Sequence, residues 1–161
     1  MTDIALTDEE LLVWPNGETV DVASIEGYAD EARVLASALD DDNVIRTPDW
    51  VISELRAVSQ QAARMVLVIL NAEKLKRQAS KALARAKANA RVKYAALPDA
   101  QQTARIVLAT VEEQDAYDVA LAAFEYARRM GNLLSDYTGR VQTIGKQVEL
   151  TYSGAGRRGG A

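Results

Sequence analysis

The 161 residues are enough for one domain, and 48% of them are apolar, mostly Ala, Val and Leu with a single Phe, which suits helix packing better than a thick globular core. The chain has neither Cys nor His, so thiol nucleophiles, imidazole acid–base catalysis and ordinary zinc sites are excluded, and the lack of Cys fits a reducing compartment. The formal net charge of −4 is unevenly laid out: residues 1–50 carry −11, residues 51–98 carry +8 and residues 99–161 carry −1. Blocks of this kind point to charge complementarity within or between molecules.

In chain order, residues 1–23 read as a peripheral acidic segment. Leu11–Val13, Trp14, the turn signal Pro15-Asn16-Gly17 and Glu18–Val22 predict a small hairpin, with an acidic arm that orders only on a partner as the alternative. Its start lacks the basic and apolar pattern of a signal peptide. Ser24 is expected to cap a short helix to about Leu39, with Tyr28, Ala32, Leu35 and Leu39 on one face. The acidic run Asp40-Asp41-Asp42 then reads as a loop, completing a 24–46 segment, because it lacks the Gly and distal Glu of a calcium site.

Residues 47–152 predict a long helical hairpin. Thr47-Pro48-Asp49 supplies a capping hydroxyl, a first-turn proline and an acid facing the helix dipole. From Asp49 to Leu97 there is no Gly or Pro, and apolar residues recur with helical spacing at Val51, Leu55, Val58, Ala62, Met65, Ile69, Ala72, Leu75, Ala79, Leu83, Ala86, Ala90, Tyr94 and Leu97. At 1.5 Å per residue this is a rod of roughly 70 Å. Leu97-Pro98-Asp99 breaks it, and Asp99 with Gln102 has the pattern of a capping box.

The returning helix is expected over about 100–150. In it Ala116, Ala120, Ala123, Ala127, Met130, Leu134, Tyr137, Val141, Ile144 and Val148 alternate steps of four and three, a coiled-coil seam. An Ala-lined hairpin is a thin core. The seam is therefore assigned to oligomerisation, and a homo-oligomer larger than a dimer is expected. Gly131, Gly139 and Gly145 mark either close helix approach or a bend, and residues 153–161 read as a flexible basic tail. The fold class is all-α: a long antiparallel helical hairpin with a short N-terminal helix, in an oligomeric bundle.

The most informative feature is the basic run over residues 74–93, which holds eight Lys or Arg and no acid. Interhelical pairs such as Lys81 with Asp115, Arg77 with Asp118, and Arg85 with Glu112 and Glu113 would absorb part of it. Yet Lys74, Arg77, Lys81 and Arg85 fall within about 80° of one another, opposite Leu75, Ala79, Leu83, Ala86 and Ala90. Residues facing away from the partner helix cannot all be consumed by its acids. Lys74, Arg77, Lys81, Arg85, Lys87, Arg91 and Lys93 are therefore the candidate nucleic-acid-binding residues, suited to tracking a phosphate backbone by charge alone.

Residues 50–150 resemble the phage recombination mediators of the UvsY type. The resemblance rests on Glu73-Lys74-Leu75-Lys76-Arg77, the run through Asn89-Ala90-Arg91-Val92-Lys93-Tyr94, then Thr103–Leu108 and Gly139–Ile144. It implies an all-helical, ring-forming protein that binds single-stranded DNA and helps load a recombinase onto DNA coated by single-strand binding protein. A Lys-x-Arg pair ahead of a Tyr is implicated in DNA contact in that family. Arg91 matches it, while Asn89 stands at the Lys position, with Lys87 and Lys93 as the nearest substitutes.

The expected function is thus a single-stranded nucleic-acid-binding recombination or replication accessory acting as an oligomer. The alternative is a structural assembly protein (virion, scaffold or adaptor) whose basic stripe pairs with acidic segments of its neighbours. The acidic N-terminal third would then be an intersubunit contact, or otherwise an autoinhibitory arm on the basic rod. No catalytic residues, cofactor or metal are expected, since no phosphate-cradling Gly loop is present. The longest apolar run, Met65–Leu70, is far short of the roughly 20 residues a bilayer span needs. A cytoplasmic protein with no membrane partner is expected.

Overall fold

A computed structural model describes residues 12–38 and 45–158, without the side chains of residues 155–158. The described chain is all helical, in the order α1 (Val22–Ser37), α2 (Pro48–Lys93), α3 (Asp99–Ala109) and α4 (Val111–Arg158). The described residues contain no strand, only an isolated bridge between Val13 and Thr19. The expected acidic loop at Asp40–Asp42 and the first eleven residues lie outside the described residues.

The predicted N-terminal hairpin is present in miniature. Gly17 N–H donates to the Trp14 carbonyl and Trp14 N–H to the Glu18 carbonyl, with Pro15 and Asn16 at the turn. Gly17 sits at φ 86°, a left-handed conformation that costs a glycine little. The segment is not peripheral, however. Trp14 is only 5% exposed and Val20 4%, because the indole is large enough to need cover and its N–H donates to Ser24 Oγ.

That contact also corrects the helix start. Asp21, not Ser24, is the capping residue: Ser24 N–H donates to Asp21 Oδ1, and Asp21 N–H donates back to Ser24 Oγ. Two orphan donors are satisfied reciprocally. Ser24 stands three residues inside, where its hydroxyl serves both the cap and Trp14. The buried face of α1 is Ile25, Ala29, Ala32 and Ala36, which keeps Ala32 of the expected line but puts Ala29 and Ala36 in place of Tyr28 and Leu35; Leu39 lies outside the described residues. Tyr28 and Leu35 are half-buried flanks of that face.

At the start of α2 the expected cap is found, with Trp50 N–H donating to Thr47 Oγ1 at 3.2 Å. The helix ends at Lys93, four residues before the predicted end. Two tight turns, Ala95 N–H to the Val92 carbonyl and Leu97 N–H to the Tyr94 carbonyl, carry the chain to Pro98. A residue before proline is disfavoured in the helical region, so the last turn loosens early. Asp99 makes no capping box. Pro98, extended at φ −57° and ψ 146°, occupies the cap position without a side-chain bond.

The predicted returning helix is two helices. The chain leaves helical geometry at Thr110 (φ −125°, ψ 17°), where the buried hydroxyl donates back to the Ile106 carbonyl at 3.0 Å. Neither Gly nor Pro marks this break. Residues 153–158 of the expected flexible tail are instead helical, since a glycine in a helix costs about 1 kcal/mol and does not forbid it, and residues 159–161 lie outside the described residues.

The residues group into two compact units, and α1, α2 and α4 contribute to both. The first comprises the chain to Glu26 and Leu70–Glu125, with Trp14, Val20, Ile25, Ala72, Leu83, Ala90, Ala120 and Ala123 buried. The second comprises Gly27–Ile69 and the chain from Tyr126, with Ala29, Ala32, Val58, Met65, Val68, Ala127, Leu134, Tyr137 and Val141 buried.

In the second unit α2 and α4 approach closely at glycine. A Cβ on Gly131 would stand 3.0 Å from Ile69 Cδ1, and one on Gly145 would stand 3.0 Å from Val51 Cγ1. Close approach, not a bend, explains these two glycines. Gly139 has nothing within 4 Å of a Cβ position. Polar ties complete the unit: the buried Tyr137 hydroxyl donates to Glu54, Tyr126 donates to Asp30, and Arg64 pairs with Glu31 at 2.8 Å. Burial, and then the bond to Glu54, push the Tyr137 phenol well above its ordinary pKa, so it stays a donor.

Two predictions follow from these contacts. Gly139→Ala should stabilise the chain by about 1 kcal/mol, whereas Gly131→Ala and Gly145→Ala should gain less or lose stability; urea denaturation reads the difference. The second concerns pH. The Ser24 backbone N–H holds the Asp21 carboxyl below its ordinary range, and the Tyr126 hydroxyl, then Arg33, do the same for Asp30. Carboxyls depressed in the fold stabilise it above their unfolded pKa of about 3.9, and that contribution is lost as pH falls through the lower folded values. Asp21→Asn with Asp30→Asn should flatten the low-pH limb of a plot of unfolding midpoint against pH.

Candidate nucleic-acid interface

The first unit carries the basic segment, on the second half of α2. Helical geometry places the short Ala72, Leu83 and Ala90 inward, where they are buried, with Leu75, Ala79 and Ala86 half-buried beside them. The opposite face is left with long cations. Lys74, Arg77, Lys81 and Arg85 are all exposed, as the spacing predicts.

The expected interhelical ion pairs do not form. Arg77 pairs with Glu73 one turn back on its own helix, at 2.6 Å, an exposed pair worth about 0–1 kcal/mol. Lys74, Lys81 and Arg85 make no ion pair among the described residues, nor do Glu112, Glu113, Asp115 and Asp118. The reason is register. Lys76 Nζ lies 3.9 Å from the Phe124 ring centroid, and Lys87 Nζ donates to Gln114 Oε1 at 3.2 Å. Those contacts sit between the helices, while Lys81 and Arg85 project from the far side of α2.

The candidate residues therefore divide. Lys87 is half-buried and engaged with Gln114, so it belongs to the packing of the unit. Arg91 and Lys93 are exposed on the flanks, and Lys93 Nζ stands 5.4 Å from the Tyr94 ring. Lys74, Lys81 and Arg85, with Arg77 at their side, form the outward row. Phe124 lies under Lys76 and Tyr94 is half-buried, so neither is an open stacking platform.

The seam assigned to oligomerisation is covered within the single chain. Ala120, Ala123, Ala127, Leu134, Tyr137 and Val141 are buried, and Met130, Ile144 and Val148 half-buried. Only Ala116 is exposed, just after the α3–α4 break changes the direction of the chain. A charge at Met130 or Leu134 would thus strike the fold of the chain before any contact between chains.

A feature absent from the expectation is α3, none of whose residues is buried. Val107 is 60% and Leu108 69% exposed, and across the turn from it Val92 is 80% exposed. The recurrence of Ala100, Ala104, Val107 and Leu108 was the available signal, hidden by reading α3 and α4 as one helix.

Two shallow grooves lie in the second unit. One groove is lined by Asp49, Ile52, Ser53, Arg56, Ala57 and Gln60, all from α2, and another by Ser135–Gln147 residues of α4. A groove lined by a single helix cannot enclose a small ligand. No group of three or more acidic side chains among the described residues could hold a metal ion, and no described helix is long and apolar enough to cross a membrane. No protein-family model matches the chain, and neither a curated protein nor a solved structure matches it.

Since the outward row supports nothing in the fold, Lys74→Ala, Lys81→Ala and Arg85→Ala should each leave the thermal midpoint unchanged to within about 0.5 kcal/mol of stability. Lys76→Ala, which uncovers the Phe124 ring, should lower it.

Proposed function

We propose that this protein binds single-stranded nucleic acid with little sequence preference, as a recombination or replication accessory of mediator type. The observation that carries the reading is the exposed row Lys74, Lys81 and Arg85, left without an ion pair although acids stand on the same unit. A cationic row that the fold does not use is what backbone binding requires, and it reads charge without reading bases. Arg77, Arg91 and Lys93 widen the positive surface around it. The resemblance to UvsY-type mediators supplies the role: assistance to a recombinase on DNA covered by single-strand binding protein, in the cytoplasm of a phage-infected cell.

The reading includes an antiparallel hairpin of α2 against α4 and a homo-oligomer larger than a dimer. The contacts within each unit support the first: Val51 meets Gly145 and Ile69 meets Gly131 in one, and Lys76 meets Phe124 and Lys87 meets Gln114 in the other. Repetition of the row on several subunits would let many phosphates be held at once. A structural assembly role is the second reading, favoured by the exposed acids Glu112 and Asp115, which make no ion pair among the described residues.

Fluorescence anisotropy with a labelled oligonucleotide at low and moderate salt tests the proposal. Each phosphate neutralised on a single strand contributes about −0.7 to the slope of log affinity against log salt. Lys74→Glu, Lys81→Glu and Arg85→Glu together should abolish binding with helix content intact. Binding equal to wild type in that variant, or none by wild type at low salt, rejects the reading.

A further inference from the structure

The eleven residues of α3 make a helix that is marginal in water without tertiary cover, yet none is fully buried and only Gln102 and Ile106 are half-buried. Its positions 100, 104, 107 and 108 lie within about 100° of one another. Ala100, Ala104, Val107 and Leu108 thus make an exposed apolar stripe, continued by Val111, 44% exposed, at the start of α4. The charges that follow are negative. Glu112, Asp115 and Asp118 are exposed on the first turns of α4 and make no ion pair among the described residues.

The same unit carries the converse patch. On the outward face of α2, Arg85, Ala88 and Val92 fall within about 60°. Val92 and Ala88 are exposed, flanked by the exposed Arg85, Arg91 and Lys93. One patch is apolar with an anionic border, and the other is apolar with a cationic border.

We infer that α3 and the first turns of α4 form a docking surface for the Val92 end of α2 in a second copy of this chain. The argument for a second copy is complementarity in both respects: Val107 and Leu108 meet Val92 and Ala88, and Glu112 and Asp115 meet Arg91 and Lys93. Engaged with two different neighbours, the two patches make a heterologous contact, which closes into a ring or runs on as a filament. The inference rests on the proposed assembly of the chain, and it moves the contact from the α4 seam, already covered, to α3.

Sedimentation velocity over a range of protein concentrations tests it. Wild type should sediment as an assembly larger than a dimer. Val107→Asp with Leu108→Asp should sediment as a single chain with unchanged helix content, a fair demand because no residue of α3 is buried. Glu112→Lys with Asp115→Lys should also dissociate it, and adding Arg91→Glu with Lys93→Glu should restore assembly by exchanging the charges. A wild type that stays monomeric, an Asp variant that sediments as wild type, or reversals that the exchange does not repair would each overturn the contact. Oligonucleotide binding by the Val107→Asp, Leu108→Asp protein at low salt separates the two ideas. Binding that persists on the dissociated chains shows that the row acts on each chain alone, and a wild type that assembles but binds no oligonucleotide at low salt rejects the row and leaves the contact standing.

Discussion

The close approach of α2 and α4 is the constraint on which the rest depends. Long helices lined with alanine bury little area per residue, so their seam is effective only if the backbones come near one another. In the second unit two glycines make that possible, with Gly131 against Ile69 and Gly145 against Val51. Tyr137 is then enclosed deeply enough that its hydroxyl must find an acceptor, and Glu54 provides it. Asp30 and Glu31 of α1 take the Tyr126 hydroxyl and the Arg64 guanidinium, tying that helix to both long ones. One buried amide, Gln61 Nε2, lies in the same unit without a protein partner, and nothing in the structure explains it.

In the first unit the same economy of side chains has an electrostatic consequence. Where the seam is made of Ala72, Leu83, Ala90, Ala120 and Ala123, only the residues beside it can bridge between helices. Lys76 and Lys87 hold those positions, and their partners are an aromatic ring and an amide, not carboxylates. Lys74, Lys81 and Arg85 of α2 and Glu112 and Asp115 of α4 are thereby left to the solvent, or to another molecule, while Asp118 accepts from Gln114 Nε2 at 3.0 Å. An exposed ion pair would have contributed little to stability. Leaving the charges unpaired costs the fold almost nothing and preserves two fields of opposite sign.

Much of this was legible because it depends on periodicity. The helical spacing from Val51 to Ala90 placed most of the buried face of α2, and with it the outward direction of Lys74, Lys81 and Arg85, although Ala62 of that stripe is exposed and Gln61 and Val68 are buried outside it. Thr47-Pro48 announced its own cap, and Pro15-Asn16-Gly17 its own turn. What failed were features that need a partner in space. Ser24 was misjudged as a cap because its neighbour Asp21 competes for that place and Trp14 holds the hydroxyl. The ion pairs of α2 with α4 stayed an open alternative in the sequence, because helical spacing fixes a face and leaves the register open. Thr110 gave no warning, since a β-branched residue bonded back to Ile106 is usually tolerated inside a helix.

The break at Thr110 separates a helix with no buried residue from one whose seam is buried. At 100° per residue a continuous helix would place Val107 on the side opposite Ala116 and Ala120, and Leu108 about a quarter-turn from them, so neither belongs to the seam. Gln102 and Ile106 are half-buried, while Val107 and Leu108 are exposed. Thr110 itself is buried, so the kink is held by packing and by its hydroxyl. Pro98, extended and without an N–H, fixes the other end of α3. A short helix held at both ends and buried along none of its length is positioned by the fold without contributing to its core. Such an element keeps its apolar stripe available, and the adjacent charge fields give that stripe a direction in which to find a partner.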